Sequence, residues 1–149
     1  MPTTYTPNLG LSKPGNGELS AAWGNVANTV FDMVDRSVSG VGAITLTGTA
    51  TTLTTSDGTL SDGNYKVLVL GGSPSGANTI TIAPNDAQKV YMVFNNTAES
   101  AIFTQGSGAS VTVPTGATAI VYADGGGTGA AVADLTSKFI YAGGTYDKL

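Results

Sequence analysis

With no His and no Cys among 149 residues, acid–base or metal chemistry in this chain would rest mainly on ten Asp and Glu side chains. Four of them, Asp57, Asp62, Asp86 and Asp124, sit in Gly- or Pro-bearing turn signatures. An Asp there caps its own turn and tolerates left-handed backbone, so a structural role is expected. Asp32 and Asp35 lie three apart and share one helix face, where two carboxylates could meet a cation. Arg36 beside them makes a solvated polar face the simpler reading. No stretch carries the spaced oxygen ligands and closing Glu of an EF-hand loop. Gly125, Gly127 and Ala130 spell a dinucleotide fingerprint on paper, but that motif works only where a strand leads into a helix, and no helical stripe follows. Ser and Thr nucleophiles lack a histidine base and a G-x-S-x-G elbow. Asn95-Asn96-Thr97 matches a glycosylation acceptor, but without a signal sequence a polar turn after a strand is the favoured reading. The expectation is a non-enzymatic protein with no catalytic residue, no cofactor and no metal.

Charge narrows the partners. Six Lys and Arg against ten acids leave a net charge of −4, which disfavours an electrostatic nucleic-acid binder. No segment reaches the roughly 18 consecutive apolar residues of a membrane helix, and the N-terminus lacks the basic-then-apolar order of a secretory signal; neither a membrane span nor export is expected. Only 11% of residues are charged, against roughly a quarter in ordinary domains. A surface so poor in charge is either dressed in Thr, Ser and Asn or covered by other molecules.

The elements that would position these groups fall into three regions. Residues 1–18 carry Pro2, Pro7, Pro14, Gly10, Gly15 and Gly17 and read as an extended arm. Residues 20–37 hold the chain's one helical period: Trp23, Val26, Ala27, Val30, Phe31 and Val34 form a single stripe. Ser20 is its expected N-cap and Ser39-Gly40 its stop, and Gly24 within it implies a close contact. From residue 43 the period is two. Strands are expected at Ala43–Thr47, Ala50–Thr55, Tyr65–Leu70, Thr79–Ala83, Lys89–Asn95, Ala101–Gln105, Ser110–Val113, Thr118–Ala123 and Ala130–Val132. Alternation sets Ile80 and Ile82 against Thr79 and Thr81, and Val111 and Val113 against Thr112; it sets Val90, Met92 and Phe94 against Lys89 and Tyr91. Short strands with frequent turn signals and no helices between them predict a mainly β fold, an antiparallel β-sandwich or jelly roll preceded by the arm and one amphipathic helix. The Thr-rich stretch Thr45–Leu60 suits an edge or a surface covered by a neighbouring copy. The expected division is an arm and helix over 1–40, a β domain over 41–135 and a tail over 136–149. That tail is too apolar for water and is expected to pack on a partner, a sister subunit or the chain's own sheet.

Two stretches resemble modules of tailed-bacteriophage virion proteins. Residues 6–35 carry Asn8-Leu9-Gly10-Leu11, Pro14, Gly17, Trp23-Gly24, Asn28, Phe31 and Asp35, similar to a recurring phage pattern at helical spacing. Residues 89–125 resemble β-modules of phage fibre and head-surface proteins, in which a strand ends in Asn-Asn-Thr, a Val-Thr-Val-Pro strand follows and Val-Tyr-x-Asp-Gly closes. The likeness implies a structural protein of the virion. With no internal repeat and no stalk, the chain looks most like a capsid decoration (cement) protein. It would be made in the host cytoplasm, seated on the capsid exterior as a homotrimer and bound to the major capsid protein. Pro7, Leu9, Leu11, Trp23, Phe31, Tyr141, Tyr146 and Leu149 are the expected contact residues. The alternatives are a short tail or tail-fibre component anchored by its N-terminal segment and, more remotely, a host-glycan-binding module.

Overall fold

The computed structural model describes residues 2–136. Two residue pairs bind the arm into a short hairpin, β1 (Thr4–Tyr5) against β2 (Ser12–Lys13). Helix α1 follows at Trp23–Ser39, then β3 (Val41–Thr54), β4 (Val67–Ala83), β5 (Lys89–Asn95), β6 (Ala101–Thr104), β7 (Val111–Val113), β8 (Thr118–Ala123) and β9 (Val132–Asp134). The class is mainly β with one helix before the sheet, as the residue periods predict.

The architecture corrects the expected antiparallel sandwich. All seven of β3 to β9 belong to one mixed sheet that curls into a nearly closed barrel. Strands β3 and β4 run parallel along their whole length, from Val41 opposite Val67 to Thr54 opposite Ala83. The first half of β4 also pairs in parallel with β5, and its second half in parallel with β6. Antiparallel pairing is confined to β5–β8, β8–β9 and β6–β7. The Lys66 N–H donates to the Gly40 carbonyl at 3.0 Å and extends the β3–β4 ladder by one step, and the Gly63 backbone, just ahead of β4, lies against the Thr54 carbonyl at the far end of β3. Between the segments preceding β7 and β9, bonds from the Ser107, Gly108 and Val132 N–H groups draw the other side together.

Gly71-Gly72-Ser73-Pro74 reads as a turn separating two strands, yet it runs through the middle of β4. The glycines bend the strand without ending it. Gly72 has φ 95°, and a Cβ there would stand 2.5 Å from the Leu46 carbonyl. A side chain would push β3 away, so Gly72 marks a close backbone approach. A register shift between Gly48 and Ala50, opposite the same bend, exchanges the inward face of β3: Ile44 and Leu46 point in before it, Leu53 after it. Strand β3 pairs only with β4, as its Thr-rich composition predicts for an edge.

The barrel is filled by Ile44, Leu46, Leu53, Leu68, Leu70, Ile80, Ile82, Phe103, Val113 and Val121 among others. Buried amides finish the strand ends. Asn95, fully buried, donates to the carbonyls of Glu99 and Val113 and accepts from the Thr97 N–H and hydroxyl. Asn95-Asn96-Thr97 is thus a polar turn whose amide nitrogen is already committed. Gln105 likewise donates to Ala87 and Pro84 and accepts from the Gly125 N–H.

Strand β5 alternates as its sequence predicts, but its faces are reversed. Lys89, Tyr91, Val93 and Asn95 point inward, while Val90, Met92 and Phe94 point to solvent. The inward choice is made by neighbours: the Tyr91 hydroxyl donates to the Gly63 carbonyl at 2.9 Å, and Val93 joins the core.

Candidate interaction surfaces

The Asn8-Leu9-Gly10-Leu11 motif is a clamp that fastens the arm to the barrel. The Asn8 side chain accepts the Gln88 N–H at 2.9 Å, and the Leu9 carbonyl accepts from the buried Asn64 amide at 3.3 Å. The Gly10 carbonyl accepts the Gly58 N–H at 2.7 Å, and the Thr6 hydroxyl accepts the Leu11 N–H at 2.8 Å. Gly10 is required by its backbone. Its φ is 65°, and a Cβ would meet Asp57 and the Ser56 carbonyl at 2.9–3.0 Å. Gly10→Val is therefore expected to loosen the arm and lower stability by about 2 kcal/mol, since a β-branched residue suits neither the angle nor the space. Urea denaturation checks this; an unchanged midpoint would show that the clamp holds nothing. Of the expected arm contacts, Leu9 and Leu11 are half-buried and only Pro7 is exposed, so the first two serve mainly this chain's own fold.

Two of the four turn acids take structural places. The Asp124 carboxylate accepts the N–H groups of Gly126 and Ala131 at 2.9 and 3.0 Å, and Asp62 opens the 3₁₀ turn Asp62–Asn64. Gly127–Gly129 is a second 3₁₀ turn inside a loop, not a helix start for a cofactor phosphate. Among the described residues no three acids gather around a common point.

Helix α1 differs from its expected form in three ways. It starts at Trp23 behind Ala22, with no side-chain cap, so Ser20 does not serve; Gly40 closes it as predicted, its N–H bonding the Arg36 carbonyl at 2.9 Å. Its one fully buried residue is Met33, a contact the sequence reading overlooked. The predicted single stripe divides in two. Val26, Val30 and Met33 turn at least partly inward, while Arg36 lies over the Tyr65 ring at 4.4 Å from its centroid. The second line, Gly24, Ala27, Phe31, Val34 and Val38, advances by steps of three and four; Ala27 is half-buried, and the other four face outward. Phe31 is 69% exposed and Val38 67%. A 3–4 repeat of apolar residues is the spacing at which one helix meets another. Gly24 has nothing within 4 Å of where its Cβ would be, so the close contact its presence implies does not occur among the described residues. Trp23, 61% exposed, borders this line over a small apolar groove shared with Pro14 and Phe31. Tyr141, Tyr146 and Leu149 lie outside the described residues.

One chemically distinctive group escaped the sequence reading. Lys89 is 5% exposed, and its amine donates to the Gly63 carbonyl at 3.4 Å. Burial lowers its pKa to about 8 and raises that of the neighbouring Tyr91. A low-pKa amine can in principle attack a carbonyl carbon, but such chemistry needs a proton shuttle, and the group Lys89 shares its acceptor with is a phenol held protonated. A lysine beginning a strand looks like a solvated end; only the barrel's closure over Gly63 reveals otherwise.

Comparison with protein-family models, with curated proteins and with solved structures yields no match.

Proposed function

We propose that the chain is a non-enzymatic structural protein of a tailed-phage virion, a decoration protein that binds the capsid exterior as a homotrimer and braces neighbouring major capsid subunits. The observation that carries the self-association is the outward 3–4 line of α1, an apolar helix face with no partner among the described residues. Three copies packed through Phe31, Val34 and Val38 would bury it, with Trp23 and Pro7 left at the rim for the shell. The motif likeness points to the virion, and both phage-like stretches act as fasteners in this fold: Asn8 to Gly10 clamp the arm, while Asn95, Thr97 and Asp124 tie strand ends. Low charge fits a molecule whose surface is largely covered.

A second reading, a short tail or fibre component, is favoured by the position of the same helix. It directly precedes the barrel in the chain, where a bundle of three helices would present three barrels at one end. Copy number separates the two. Quantifying the protein per purified virion is expected to give on the order of hundreds of copies, spread over the head by symmetry. A handful at the tail overturns the decoration reading in favour of the second.

A further inference from the structure

We infer that a pocket between the C-terminal end of α1, the Asp62–Asn64 turn and the start of β5 binds a small oxyanion, a carboxylate or phosphate group, at the ammonium of Lys89. The pocket, about 300 Å³, is lined by Lys89 and Lys66 together with Ser37, Asn64, Gln88 and Tyr91. Two of the six Lys and Arg residues of the chain thus meet in one concavity, and no Asp or Glu lines it. In a chain of net charge −4 this is a local field of the opposite sign, which the walls of a cleft concentrate.

The polar groups of the pocket divide into those already paired and those with donors to spare. The Tyr91 hydroxyl donates to the Gly63 carbonyl, and the Ser37 hydroxyl donates to the Met33 carbonyl at 2.7 Å. The Asn64 side chain donates to the Leu9 carbonyl and accepts the Ser61 N–H. Lys89 carries three donors but makes one long bond, to the Gly63 carbonyl that Tyr91 also uses. A buried ammonium calls for an anion or for several acceptors, and among the described residues this one has a single carbonyl. Its depressed pKa reflects that want of a partner. An amine kept where it weakens the fold is expected of a binding group rather than of a packing one. An oxyanion in the pocket supplies the missing acceptor by a charge-assisted bond, with half-buried Lys66 and exposed Gln88 as further donors. The inference does not depend on the virion reading.

Backbone-amide NMR of the full-length protein tests it at about pH 6.5, where the Lys89 amine, with its pKa of about 8, is charged. Sodium phosphate and sodium acetate are titrated separately, with sodium chloride holding the ionic strength constant. The amides of Lys66, Gln88, Lys89 and Val90 are expected to shift and to saturate, with a midpoint on the order of 1–10 mM. Saturation by phosphate alone assigns a phosphate group, by acetate alone a carboxylate, and by both the wider oxyanion class. Lys89→Met is expected to weaken binding at least about tenfold, and Lys66→Met severalfold. Shifts that saturate with neither anion overturn the inference, and so does binding of unchanged strength in Lys89→Met. The first of these outcomes needs only the wild-type protein, so the test holds even if Lys89→Met does not fold.

Discussion

If the chain associates as proposed, replacing Phe31 and Val38 together by aspartate is expected to convert the proposed homotrimer into monomers while leaving each barrel folded. Both side chains are more than half exposed in the single chain, so the fold gains little from them and loses little with them. Their burial between helices would contribute about 1.5–3 kcal/mol each, and the double change would weaken association by roughly 10²- to 10⁴-fold before the cost of burying a carboxylate is counted. Analytical ultracentrifugation gives the assembly state, and circular dichroism reports whether the barrel survives. Met33→Asp provides the contrast, since Met33 faces the body of its own chain and its change is expected to destabilise the monomer. If the wild type sediments as a monomer at tens of micromolar, or if the Phe31 and Val38 variant remains a trimer, the seam on α1 is not the subunit contact.

Lys89 is expected to contribute a rise in stability of up to about 3 kcal/mol as the pH is raised from 8 to 10.5, partly opposed above about pH 10 by buried Tyr91, whose unfolded phenol ionises first. Burial holds the folded-state pKa near 8 against 10.5 for an exposed lysine. Below pH 8 both folded and unfolded chains carry the proton, and the full cost of the buried charge is present. Between the two values the unfolded chain binds the extra proton, so stability increases with pH; above 10.5 both forms are neutral and the cost is gone. Lys89→Met keeps the length of the side chain without the charge. The Gly63 carbonyl keeps the Tyr91 hydroxyl as donor, so no buried acceptor is orphaned. The variant is expected to be more stable at pH 7 by up to about 3 kcal/mol and to lack this component of the pH slope. Urea titrations of both proteins at pH 7, 9 and 10.5 measure it. A variant less stable at pH 7, or one with the wild-type slope, would show that the amine contributes more by its bond to Gly63 than it costs by burial.

How far each element could be read in advance depended on whether its cause was local. The limits of β5 and β8 match the expected Lys89–Asn95 and Thr118–Ala123, because alternation and flanking turn residues lie within a few positions of each other. Helix α1 was legible for the same reason, except at its N-terminus, where no side chain caps it. The Gly-Gly-Ser-Pro stretch of β4 misled because glycine serves a hairpin and a bend under a neighbouring strand equally well; only the presence of β3 decides between them. The facing of β5 misled because the inward burial of a lysine depends on Gly63, 26 residues away in the chain.

What the sequence determined alone was the inventory: one amphipathic helix, a run of period-two segments (four of which the structure joins into two long strands, β3 and β4), turns held by Asp and Asn, and a composition without His or Cys. The tertiary structure decided the parallel pairing of β3 with β4, the curl of the sheet into a barrel, and which apolar side chains were left over. Hydrogen-bonding periods and turn chemistry act over a few residues and leave their mark in local order. Strand pairing and burial are settled by competition among segments far apart in the chain. Met92 and Phe94 read in the sequence like core residues of an alternating strand; they became surface because Tyr91 and Val93 took the inward places.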